Sequence, residues 1–202
     1  MITKLFLLRH GETEWNLQNR FQGQKDSPLT ALGQEQVAAA GKELQHEPID
    51  AVYISSLGRT LHTYEILKPF LKQTHTTHIS DRIVERSFGE GEGMTRAELE
   101  VHFPEEMATF KSNQYNWKLP GGESYSDTRK RASAFTDEVL ANNDEKTILF
   151  ITHGGVVKAL LIHYLNLPLE PWPNFTIPNA GVNVLSFSKE RVVWHERREI
   201  ST

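Results

Sequence analysis

Leu5-Phe6-Leu7-Leu8-Arg9-His10-Gly11 and, far downstream, Thr147-Ile148-Leu149-Phe150-Ile151-Thr152-His153-Gly154-Gly155 follow one pattern: an apolar run that ends in a histidine and a glycine turn. A short run that is apolar on both faces marks a strand buried in a parallel sheet, with helices covering it above and below. Two such strands, each followed by a helical segment, predict an α/β fold.

The alternation continues outward from these two runs. Thr30 is a capping residue for a helix from Ala31 to Gln45, with Leu32, Val37, Ala40 and Leu44 on one face. Ala51 to Ile54 reads as a second strand, with Ser55-Ser56 as caps for a helix from Leu57 to Leu71 whose Leu57, Leu61, Tyr64, Leu67 and Leu71 fall in line. Thr76 to Ile79 is a candidate third strand, Ser124 to Asn142 a long helix, and Val156 to Leu165 the helix after the second His-Gly. The tail alternates at 182–187 and 192–194, as a half-exposed hairpin at a sheet edge does. The expected architecture is a three-layer α/β/α sandwich with a mostly parallel central sheet and an antiparallel edge. Residues 86–126 carry Gly, Pro and short helical pieces such as Arg96 to His102, and read as a helical insertion over the active site that forms a pocket wall. No linker splits residues 1–202, so a single domain is expected.

The 202 residues can bury roughly 70% of the surface that the unfolded chain exposes. With 38% hydrophobic and 24% charged residues, the composition is that of an ordinary globular protein. The absence of cysteine removes disulfides, thiolate metal sites and thiolate nucleophiles. A net charge of −4 with no basic cluster argues against a nucleic-acid partner. The apolar run at the amino terminus is shorter than the hydrophobic region of a signal peptide, and no run approaches transmembrane length, so no membrane partner and a cytoplasmic location are expected. Periodicity leaves the oligomeric state open, a homodimer included.

In an open α/β sheet, ligands bind beyond the carboxyl ends of the strands, the edge to which both His-Gly pairs are delivered. A lone histidine at a strand end is more often a structural hydrogen-bonding group. Arg9 and Arg59 reach the same edge, Arg59 from the start of the helix after strand two. Two planar, permanently charged donors, with backbone N–H groups at the helix start after Gly154, match the oxygens of a phosphoryl group.

Leu8-Arg9-His10-Gly11-Glu12-Thr13-Glu14-Trp15-Asn16 resembles the signature of the histidine phosphatase superfamily, also called phosphoglycerate-mutase-like. The resemblance runs on in order through Asp26 to Gly33, Ser55-Ser56-Leu57-Gly58-Arg59-Thr60, Glu85 to Glu90, Pro120 to Ser124 and Thr152-His153-Gly154-Gly155. It implies a phosphatase acting on a small phosphorylated metabolite, with His10 as the nucleophile that forms a phosphohistidine. Arg9, Arg59 and His153 would bind the phosphoryl oxygens with Asn16 helping, and Glu85 would be the general acid and base. Gln22 and Gly23 fall where the family places substrate-contacting loop residues. No cofactor is implied.

Two other signals lead nowhere. Gly89-Glu90-Gly91-Glu92-Gly93 follows no apolar strand and puts carboxylates where a dinucleotide's pyrophosphate would sit. His75 and His78, three residues apart in a strand, point to opposite faces, so no metal site is expected. A mutase on the same chemistry would need a basic, water-excluding wall. Residues 86–126 instead carry four cationic residues (Arg86, Arg96, Lys111, Lys118) against seven acidic ones (Glu90, Glu92, Glu98, Glu100, Glu105, Glu106, Glu123), which favours water as acceptor. A cofactor-dependent phosphoglycerate mutase and a non-catalytic phospho-ligand binding module remain the alternatives.

Overall fold

The computed structural model describes residues 2–72, 74–110, 112–169 and 175–198, with backbone alone for 196–198; the outermost residues of the expected domain, 1 and 199–202, lie outside them. Six strands form one sheet: β1 (Thr3–Arg9), β2 (Ala51–Ser55), β3 (Thr76–Ser80), β4 (Thr147–Thr152), β5 (Val182–Phe187) and β6 (Val192–Arg198), in the order β3-β2-β4-β1-β5-β6. β3, β2, β4 and β1 run parallel, while β5 returns antiparallel beside β1 and β6 antiparallel beside β5.

The expected layers are present. α2 (Ala31–Leu44) and α3 (Gly58–Leu67) cover one face, where Val37, Ala40, Leu44, Tyr64 and Leu67 pack on Phe6, Leu8, Val52, Ile54, Leu149 and Ile151. α6 (Tyr125–Ala141) and α7 (Gly154–Tyr164) cover the other, over Leu5, Leu7, Ile148 and Phe150. All six residues of β4 are buried, which explains why its run is apolar without alternation. Burying a large apolar side chain contributes about 1.5–3 kcal/mol, so this central pair of strands carries much of the driving force.

Local chemistry sets the element ends. Thr30 caps α2 by accepting from Gly33 N at 2.9 Å, and Ser124 and Asp127 form a capping box on α6. The helix expected from Leu57 to Leu71 stops at Leu67, and a 3₁₀ turn takes over at Lys68–Phe70, because Pro69 offers no N–H to continue it. Leu32 is exposed rather than packed. α7 begins at Gly154, two residues earlier than expected.

Between β3 and α6 lie two short helices, α4 (Arg96–His102) and α5 (Pro104–Thr109), with a capping box between Thr95 and Glu98. Their core is a separate cluster of Leu99, Met107, Trp117 and Leu119, against which Phe21, Phe88 and Met94 pack. The cluster stands beyond the carboxyl ends of the parallel strands. α1 (Glu14–Leu17) is a single turn capped by Thr13 and Asn16.

Candidate active site

Parallel pairing in register places Arg9 of β1 opposite Thr152 of β4, so the residues that follow, His10 and His153, leave the sheet side by side. Their rings lie 5.3 Å apart between centroids. Both are buried, under the ends of the two strands that are apolar on both faces.

The His10 ring is oriented by Nδ1, which lies 2.8 Å from the carbonyl of Gly11. That contact requires a proton on Nδ1 and leaves the lone pair on Nε2. Burial pushes His10 well below the ordinary histidine range, reinforced by the guanidiniums of Arg59 and Arg9, so the ring is neutral at neutral pH. His153 is held low by burial first and then by Arg59, His10 and Arg9. Its Nε2 meets Ser55 Oγ at 2.7 Å, and its Nδ1 has no hydrogen-bond partner among the described residues.

The two arginines reach the same place from different elements. Arg9 leaves the end of β1 and donates through Nη1 to the carbonyl of Ile177 at 2.5 Å. Arg59, almost wholly buried at the start of α3, donates to Asp26 Oδ1 at 2.7 Å, to Lys25 O at 2.8 Å and to Gly23 O at 2.7 Å. The Nε of each arginine is buried without a partner among the described residues. Three unsatisfied groups, two of them guanidinium donors, are the hydrogen-bonding demand that a bound anion meets.

Glu85 follows β3 and is fixed by two backbone amides: its Oε1 accepts from Arg86 N at 2.8 Å and its Oε2 from Gly155 N at 3.0 Å. Glycine at the facing position leaves this carboxylate in place, since a Cβ on Gly155 would fall 2.2 Å from Glu85 Oε1. A Cβ on Gly154 would touch Arg9 at 3.4 Å. The glycine pair after His153 therefore makes room for a carboxylate and a guanidinium.

Arg9, His10, Asn16, Gln22, Gly23, Arg59 and Glu85 line one cavity of about 430 Å³. His153 and Gly154 are not on its wall: His153 lies beneath it against His10, and Gly154 beside Arg9. Asn16 Oδ1 accepts from Thr13 N and from Asn179 Nδ2. Gln22 donates to Thr13 Oγ1 at 2.6 Å and so ties its loop to the His-Gly turn.

Several residues of the cleft have no site role in the sequence reading, which gives large side chains such as Phe21 and Phe88 to packing. Asn19, Arg20, Phe21, Phe88 and Arg96 also line the cavity, Phe21 and Phe88 as an edge-to-face pair 4.8 Å apart. Asp26 has no role in the sequence pattern beyond its motif, yet it caps α3 from outside, accepting from Gly58 N at 2.6 Å, while the expected Ser55-Ser56 caps make no such bond to the helix. Asn179, which also donates to the carbonyl of His10 at 3.4 Å, carried no signal at all. No group of three or more His, Cys, Asp or Glu that could hold a metal ion occurs among the described residues. No helix among them is long and apolar enough to cross a membrane.

Residues 5–199 match the model of the histidine phosphatase superfamily (branch 1). Phosphoserine phosphatase 1 of Hydrogenobacter thermophilus is 30% identical over 193 residues, covering 95% of this chain and 90% of that protein. A 2,3-bisphosphoglycerate-dependent phosphoglycerate mutase of Cytophaga hutchinsonii is 28% identical over 191 residues, covering 92% of this chain and 88% of the mutase. Among solved structures, Bacillus stearothermophilus YhfR superposes with a TM-score of 0.87 at 30% identity, over 95% of each chain.

Proposed function

The chain belongs to the histidine phosphatase superfamily and is an enzyme of the phosphoric monoester hydrolase type, and we propose that it transfers the phosphoryl group of a small phosphomonoester to water through a phosphohistidine at His10. The observation that carries this reading is the buried, neutral His10, whose Nδ1 contact leaves a lone pair on Nε2, beside two arginines whose Nε donors have no partner among the described residues. In the first half-reaction Nε2 attacks phosphorus, the P–O ester bond breaks, and Glu85, protonated, delivers its proton to the departing alkoxide. In the second, the Glu85 carboxylate takes a proton from water as the water oxygen attacks phosphorus, the P–N bond breaks, and inorganic phosphate leaves. Each half restores what the other consumed. Arg9, Arg59 and His153 hold the phosphoryl oxygens and stabilise the charge spread over them in transit. Asn16, Gln22 and Gly23 shape the cleft around the ester group.

No step uses a metal or a cofactor. The whole chain serves as one catalytic domain, with residues 86–126 as the wall of the cleft, and works in the cytoplasm on a small metabolite. A second reading, transfer to another hydroxyl of a sugar acid, draws support from the mutase relative and from Arg20 and Arg96 in the cavity lining, each of them paired with a carboxylate, Glu98 and Glu100.

Incubation with a panel of phosphomonoesters that includes 3-phosphoglycerate, in the presence of a chelator, separates the readings. Phosphate release that survives chelation and vanishes in His10→Ala supports the phosphatase. Isomerisation without release identifies the mutase, and binding without turnover identifies a phospho-ligand module.

A further inference from the structure

We propose that Glu92 is a positioning residue for the phosphoryl site, acting on Arg59 through the backbone of residues 23–25. The proposal rests on the phosphatase reading and assigns a role to the Gly89-Glu90-Gly91-Glu92-Gly93 run, which has none in nucleotide binding. Arg59 is oriented largely by that short loop: Nη2 donates to Gly23 O at 2.7 Å and Nη1 to Lys25 O at 2.8 Å. The same loop turns its amides the other way. Gln24 N donates to Glu92 Oε1 at 2.8 Å and Lys25 N to Glu92 Oε2 at 3.1 Å. One carboxylate thus holds the amide side of the loop while one guanidinium holds its carbonyl side.

Glu92 is itself anchored from the wall of the cleft. Its Oε1 accepts from Phe88 N at 3.1 Å and from Ser87 Oγ at 3.2 Å, and its own carbonyl accepts from Lys25 Nζ at 3.2 Å. The fit is close enough to dictate sequence nearby: Gly23 has φ +57°, and a Cβ there would fall 2.1 Å from Glu92 Oε1. A carboxylate is the group this place requires, because four donors converge on its two oxygens. An amide in its position would keep one oxygen acceptor and set its NH₂ against at least one backbone N–H, that of Lys25.

The consequence lies at Arg59. With three of its five N–H donors taken by the loop and Asp26, the buried Nε and the second Nη2 hydrogen are left for the phosphoryl oxygens, and their direction follows from where the carbonyls of 23 and 25 stand. Moving that loop moves these donors. A displacement of about 1 Å at such a contact costs on the order of a hundredfold in rate.

The test compares Glu92→Gln in the wild-type and Arg59→Met backgrounds, reading hydrolysis of p-nitrophenyl phosphate and the affinity for orthovanadate by calorimetry. In the wild-type background kcat/KM and vanadate affinity are expected to fall together by about 10- to 100-fold, while in Arg59→Met the same change costs less than about twofold, since additivity fails for residues acting through one group. Equal losses in both backgrounds, or unchanged vanadate affinity, would overturn the proposal. If Glu92→Gln does not fold, Glu92→Asp carries the same comparison, keeping the charge and shortening the reach. A wild-type protein that binds vanadate through Arg59 but hydrolyses nothing sinks the phosphatase reading and leaves the coupling readable. One that binds neither vanadate nor phosphate overturns both.

Discussion

Glu85 Oε2 accepts a hydrogen bond from Gly155 N at 3.0 Å, across a contact so close that a side chain at position 155 must push the Glu85 carboxylate aside. Gly155 is helical, so the rest of its environment favours alanine. Gly155→Ala should therefore separate stability from function. The helix gains up to about 1 kcal/mol, while the methyl group displaces the flexible end of Glu85 and lowers kcat by about 10²- to 10⁴-fold, the range of a lost acid–base group. Thermal unfolding and steady-state kinetics on one preparation check both signs. A variant that loses both properties, or neither, contradicts this account of Glu85.

Asp26 joins two tasks, capping α3 at Gly58 N and pairing with Arg59. Asp26→Ala removes a helix cap, a loss of about 1 kcal/mol, and leaves Arg59 with two carbonyl partners instead of three acceptors. The expected kinetic result is a rise in KM for phosphomonoesters and in Ki for phosphate of about tenfold, the scale of one charge-assisted hydrogen bond. Asp26→Asn, which retains an oxygen acceptor, should recover part of both.

Acid should destabilise the protein in a way that two histidines explain. His10 and His153 are held neutral in the fold, far below the ordinary histidine range, through burial and the nearby arginines. The unfolded chain thus binds more protons, and stability rises with pH from the depressed native values up to about pH 6.5. As pH falls below about 6.5 these two groups remove stability at up to about 2.7 kcal/mol per pH unit, 1.36 for each. Urea unfolding of His10→Gln should show that slope reduced by about one proton, and an unchanged slope would place the linkage elsewhere.

Ser55 is the partner of His153 Nε2 at 2.7 Å, and both side chains are buried. Ser55→Ala leaves that nitrogen without its partner, at about 1–3 kcal/mol, and frees the ring to turn. The orientation of His153 toward the phosphoryl group would suffer, and kcat/KM should drop about tenfold or more at unchanged secondary structure, measured by circular dichroism.

Much of this was legible in the chain, for physical reasons. The runs ending in His10 and His153 are apolar on both faces because β1 and β4 sit at the centre of the sheet, and no other placement accommodates them. Arg59 could be placed at the same edge from the strand-helix order alone. Whatever depends on tertiary contact was illegible. The cap of α3 comes from Asp26, 32 residues before Gly58, so the adjacent serines gave a false signal. Phe21 and Phe88 face the cleft and the insertion's core at once, and packing alone is what their sequence neighbourhood expresses. The two extra residues at the start of α7 are visible only once Glu85 is seen to accept the Gly155 amide.

The adjacency of β1 and β4 at the middle of the sheet also sets a clock. His10 is made well before its ring neighbour His153, which follows the fourth strand, and the carbonyl of His10 is tied by the amide of Ala180 at 3.0 Å. A ribosome-bound chain that has not yet exposed that strand and the segment behind it holds the proposed nucleophile with no clamp around it. Turnover is therefore expected only once the chain has emerged past Ala180, and hydrolysis by nascent chains of increasing length should switch on in one step after that residue clears the ribosome.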